Sequence, residues 1–188
     1  MPCDSSLCPR LHRVMSNRAR TLFRLAKPQV CRLLRLTCVW PPPWQCALSG
    51  TDMDALVGDV DQLVRAFAKL TKAQSVYVKL ERVEDNGCSS WHQDSVPLRL
   101  ITTYRGPCTE WVHPDVSNAT LRRKNADAKD AQSLCHHDVA LFKGRGPTEH
   151  GDALLNHPGI VHRSPRIEGS GVHRVVLVLD IPQPHHLE

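Results

Sequence analysis

The 188-residue chain has no apolar run long enough to cross a bilayer, which excludes a helical membrane span. Near its start it also lacks the continuous apolar stretch of a secretory signal, so export is not expected. Its eight cysteines contain no C-x-x-C pair. That spacing argues against a structural zinc site, and without an export signal the thiols are expected to be free, in a reducing compartment. No internal repeat is present, so a solenoid is excluded. Acids are nearly missing from the first quarter: residues 1–50 carry eight Arg or Lys against Asp4 alone. Such a segment reads as an organellar presequence, as a basic arm for a polyanion, or as a poorly ordered, peripheral extension. The chain is expected to be cytoplasmic, or organellar if residues 1–50 are a presequence.

The rest of the chain has no comparable charge excess. Residues 51–188 carry sixteen basic and eighteen acidic side chains, so a nucleic-acid partner is expected only through the basic arm. Composition is that of an ordinary globular protein, 41% hydrophobic and 23% charged, and the length suits one domain over residues 51–182. Residues 52–72 read as a packing helix. Leu56, Val57, Val60, Leu63, Val64, Phe67 and Leu70 recur at three- and four-residue steps, and Thr51 and Asp54 have capping-box spacing. The period then shortens to two. Strands are expected at 75–83, 96–104, 138–142, 152–156, 159–163 and 173–181, separated by turns bearing Gly or Pro. Residues 113–137 are polar and aperiodic, and read as an irregular excursion or lid. "CHHD" at 135–138 reads as a solvated turn. Many short strands with flanking helices point to a mainly β fold, a sandwich or barrel packed on a helix.

Within this frame "WHQDS" (91–95) raises a chemical question. Residues two apart on a strand project to one side, so His92 and Asp94 offer an imidazole nitrogen and a carboxylate oxygen to the same point. A later strand, "GIVHR", supplies His162. Two histidines and one carboxylate form the facial set suited to non-haem Fe(II), leaving positions for a chelating cosubstrate and oxygen. An α-keto acid brings a second carboxylate that needs a cation. Arg174 opens the apolar run "HRVVLVLDI", where a guanidinium is costly to bury without a partner. Tyr104 can donate its hydroxyl to the same carboxylate. Trp91 and Trp111 are either lining for a substrate mouth or ordinary core. H-x-D alone is a weak signal; the order of the segments gives it weight.

Those segments, "SSWHQDSVPLRLITTYRGPCTEWV", "VALFKG" and "VHRSPRIEGSGVHRVVLVLDI", resemble domain-of-unknown-function family 1826, over roughly residues 55–181. In order and type they are also similar to the prolyl 4-hydroxylase-like branch of the 2-oxoglutarate/Fe(II) dioxygenases. There H-x-D precedes a strand ending in Tyr, a T-x-aromatic turn (here "GPCTEW"), a "GDALLN"-like strand, a distal His and a basic residue. The resemblance implies a double-stranded β-helix, a jelly-roll or cupin-like barrel. It implies Fe(II) ligation by His92, Asp94 and His162, and 2-oxoglutarate held by Arg174, with Arg163 and Arg166 as alternatives. The chain departs from the pattern at Pro107 and in a longer His-to-Arg gap. The implied activity is a dioxygenase of hydroxylase or demethylase type, acting on an unknown small molecule or protein side chain. The rival reading is a non-catalytic cupin-like protein that binds a metal or small ligand.

Overall fold

The computed structural model describes residues 19–24, 50–124, 126–146 and 159–182. The amphipathic segment forms helix α1, Gly50–Thr71. Leu56, Val60, Leu63, Val64, Phe67 and Ala68 make its buried stripe. Leu70 does not join the stripe: it stands 57% exposed at the helix end. The side chains of the expected Thr51–Asp54 capping box lie partly outside the described residues.

Two antiparallel sheets carry the fold. The larger has five strands: β1 (Ala19–Arg24), β2 (Ser75–Val83), β3 (Leu98–Arg105), β6 (Ala140–Lys143) and β8 (Arg174–Asp180), in the order β1-β2-β8-β3-β6. The smaller has three: β4 (Glu110–Val112), β5 (Gln132–Ser133) and β7 (Val161–Arg163), in the order β5-β4-β7. A second helix, α2, spans Pro114–Arg122. Six residues of the basic first quarter thus form an edge strand beside β2. The strand expected at 152–156 lies outside the described residues.

Strand β8 shows why the sheets stack. Its alternate residues Val175, Leu177 and Leu179 pack with α1, while Val176 and Val178 join Ile101, Phe142 and Trp111 between the sheets. Both faces are covered, so the sequence reads as a continuous apolar run instead of an alternating one. Arg174 and Asp180, the two ends of the strand, share the inter-sheet side with Val176 and Val178, and both are buried. On the far side of the small sheet, Val112, Val161 and Trp91 pack with Val116 and Leu121 of α2. The layers are therefore α1, large sheet, small sheet, α2. No helix among the described residues is long and apolar enough to cross a membrane.

Helix α2 corrects the reading of 113–137 as irregular. Its buried positions include Ser117 and Thr120, which no apolar pattern reveals. Their hydroxyls donate to the carbonyls of His113 and Val116, four residues back, so each is buried without an unmet polar group. The available signal was "HPD": His113 caps the helix, Pro114 opens it, and Asp115 sits in the first turn. In "CHHD" the Asp138 carboxylate accepts the Cys135 N–H at 2.7 Å and His137 takes φ 66°, a turn as expected. Among the described cysteines Cys88 and Cys108 are free, whereas Cys135 is disulfide-bonded, against the expectation for it.

Candidate metal centre

His92 lies in no named strand, yet its backbone pairs with β7. Its N–H donates to the His162 carbonyl and the His162 N–H donates back, both at 3.0 Å. Residues directly opposite on an antiparallel pair share a face, so the two imidazoles meet, with ring centroids 4.6 Å apart. Asp94, two residues on, returns to the same point. Its carboxylate Oδ2 is 3.4 Å from His162 Nε2, and Oδ1 is 3.9 Å from His92 Nε2. One donor atom from each residue lies within 4.8 Å of the others, the one such cluster of His, Cys, Asp and Glu among the described residues.

The donor chemistry fits a cation. Donors about 2.1 Å from one ion and at right angles to each other lie about 3 Å apart; the 3.4 Å between Asp94 Oδ2 and His162 Nε2 is near that, and the full set lies within 4.8 Å. His92 Nδ1 faces the Ser90 carbonyl at 2.8 Å and His162 Nδ1 faces the Ile160 carbonyl at 3.2 Å. An Nδ1–H bonded to a carbonyl fixes the tautomer in which Nε2 carries the lone pair, aimed at the site. Asp94 Oδ2 is buried and accepts no hydrogen bond. Burial pushes the His162 pKa down to about 4; the Asp94 carboxylate opposes this and His92 adds to it, so the ring is neutral near pH 7.

Arg99, which no sequence motif singles out, organises the acid. Its Nε and Nη2 donate to the two oxygens of Asp180 at 2.8 and 2.7 Å, and its Nη1 donates to Asp94 Oδ1. Burial works against the guanidinium charge, but Asp180 and then Asp94 outweigh it and hold its pKa above the ordinary value. Two buried carboxylates thus share one guanidinium, leaving negative charge beside two imidazoles. A cation at that point would complete the balance. The Asp94 backbone is held as well: Arg145 N–H donates to its carbonyl at 2.8 Å, while Gly144 and Gly146 donate to Pro97 and Val96.

Arg174 is 1% exposed. Its Nε donates to the Pro107 carbonyl at 2.7 Å and its Nη2 to Thr109 Oγ1 at 3.1 Å. Among the described residues it forms no ion pair with a carboxylate, and burial pushes its pKa down to about 10, partly offset by Cys108. Trp111 pairs with His162 across β4 and β7, and Thr109 lies two residues back. The Arg174 guanidinium is therefore held by a residue two positions along the chain from the one that pairs with His162.

The remaining candidates fall elsewhere. Tyr104 packs in the α1 layer, and its hydroxyl donates to Asp59 of the helix at 2.5 Å, not toward Arg174. Trp91 is fully buried under α2, with its N–H on the Ala126 carbonyl at 2.9 Å, so it lines no mouth. Trp111 does face the inter-sheet space beside His162. Arg163 is engaged with Glu110 at 2.6 Å and Asp127 at 3.0 Å and lies over the Trp91 ring. Arg166 is exposed. Of Arg163, Arg166 and Arg174, only Arg174 is both buried and without an acidic partner among the described residues.

No curated protein and no solved structure matches the chain. A family profile does, and it begins at residue 29, so it takes in part of the basic N-terminal segment. Matched over residues 29–180, more than half its length, the chain belongs to the family described as protein of unknown function, DUF1826.

Proposed function

We propose that the chain is a non-haem Fe(II)/2-oxoglutarate-dependent oxygenase built on a double-stranded β-helix. The observation that carries the reading is the meeting of His92, Asp94 and His162 around a buried, unpartnered carboxylate oxygen. The buried Arg174, lacking an acidic partner among the described residues, supports a carboxylate ligand deeper between the sheets. The two stacked antiparallel sheets are compatible with the jelly-roll arrangement.

Bound at this point, iron with its keto-acid cosubstrate supplies oxygen activation coupled to decarboxylation. The protein's own residues set the conditions. His92 and His162 present Nε2 while their backbone bonds fix each ring, and Asp94 presents Oδ2. Arg174 takes the far carboxylate of 2-oxoglutarate in its planar fork. Phe142, with its ring centroid 4.7 Å from that of His162, and Trp111 exclude water from that side. The test is anaerobic addition of Fe(II) and 2-oxoglutarate to the native chain. A visible charge-transfer band, lost in Arg174→Met, and succinate release on admitting air are expected. Tight metal binding with neither band nor succinate would favour the non-catalytic metal-binding protein instead.

A further inference from the structure

Asp94 has two oxygens and the structure treats them differently. Oδ1 receives Nη1 of Arg99, whereas Oδ2, buried and without a hydrogen bond, faces His162 Nε2 at 3.4 Å. Arg99 is not at liberty to follow Asp94, because its Nε and Nη2 are clamped on Asp180 by two bonds of 2.7–2.8 Å. Asp180 in turn is 2% exposed at the end of the central strand β8, directly opposite Arg99 on β3. The chain of contacts runs from the most enclosed strand of the large sheet to the loop that carries two of the three ligands.

Resting on the metal-centre reading above, we infer that Arg99 is a positioning residue that limits Asp94 to one-oxygen ligation and, anchored by Asp180, sets the metal affinity. A carboxylate with both oxygens available can swing to chelate an ion and occupy a further coordination position. With Oδ1 saturated by a charge-assisted bond, only Oδ2 is offered, which keeps that position for an exogenous ligand. The guanidinium withdraws some charge from the carboxylate, but the order it imposes outweighs that loss: the ligand needs no reordering on binding, so freeing Asp94 weakens the hold on the ion.

Cobalt(II) reports on both properties, because its visible absorption changes in intensity and position with coordination number. Titrated into the native chain, Arg99→Met and Asp180→Asn, it is expected to show an altered spectrum and a roughly 10- to 100-fold weaker affinity in Arg99→Met. Asp180→Asn, which leaves Arg99 in place but loosens its anchor, is expected to show a smaller loss in the same direction. A purely structural role would lower the melting temperature of the metal-free variants and leave the cobalt spectrum of the loaded protein native. Native spectra with affinities within about twofold in both variants would overturn the inference, and if Arg99→Met does not fold, Asp180→Asn alone decides by the same criterion. Failure of the native chain itself to bind cobalt would sink the metal centre, and the inference with it.

Discussion

His162 sits 4% exposed between an aromatic ring, a second imidazole and a carboxylate, and this environment makes its protonation a stability question. Its folded-state pKa of about 4 lies below the ordinary 6.5, so the unfolded chain binds the proton more readily. The contribution is whole above pH 6.5 and is lost as pH falls toward 4, in metal-free protein an amount on the order of 3 kcal/mol. Denaturant titrations across that window are expected to show the slope in the native chain and its absence in His162→Gln. An equal slope in the variant would place the titration elsewhere. His92 and Asp94 were legible by spacing and segment order, His162 by its apolar strand, and the burial of Arg174 by the apolar run it opens. Arg99 was not, because in "VPLRLITTY" it looks like the solvent-facing member of an alternating strand. Only the fold reveals that the other side of β3 is also covered, and that Asp94 and Asp180 wait there. Tyr104 misled for the matching reason: its position at a strand end was legible, but the bulge between Thr103 and Arg105 and the choice of face were not.

At the level of elements, the long regular segments were readable, with α1 and β2 falling where periodicity put them. Short elements held by their neighbours were not: α2 hides its packing face in hydroxyl residues, and β5 is two residues long. The loop 94–97 is such a neighbour-held piece, and it carries Asp94. Gly144 lies against it so closely that an added Cβ would stand 2.0 Å from the Val96 carbonyl oxygen and 2.8 Å from that of Asp94. Both obstacles are backbone, so the loop itself must move. Gly144→Ala is expected to cost about 2 kcal/mol or more of stability and to weaken metal binding. Gly58, in the middle of α1, meets nothing within 4 Å, and Gly58→Ala is expected to stabilise by about 0.5–1 kcal/mol without touching the site. Chemical denaturation of the pair checks both signs at once; destabilisation of similar size in the two would show that glycine content, not contact, is being measured.

For the whole molecule, the centre joins the small sheet to the loop that leads into the large one. Binding an ion there therefore acts against global unfolding instead of tightening one surface. At a hundredfold excess over its dissociation constant, a divalent metal is expected to add about 2.7 kcal/mol, a rise in melting temperature of roughly 5–10 °C for a chain this size. Differential scanning calorimetry with cobalt(II) or manganese(II) reads this directly, and His92→Ala should abolish the shift. A shift that survives the substitution would mean that the ion binds elsewhere.

The central strand carries one more consequence. Arg174 and Asp180 sit at its two ends and on the same side, six residues apart, with only aliphatic side chains between. A slip of β8 by a single position against either neighbour would turn both ions toward the greasy underside of α1, where neither Arg99 nor the Thr109 hydroxyl could meet them. Misaligned pairings are thus penalised twice over during assembly. The same two charges act as end-stops, telling the most hydrophobic segment of the polypeptide which of its many near-equivalent alignments to keep.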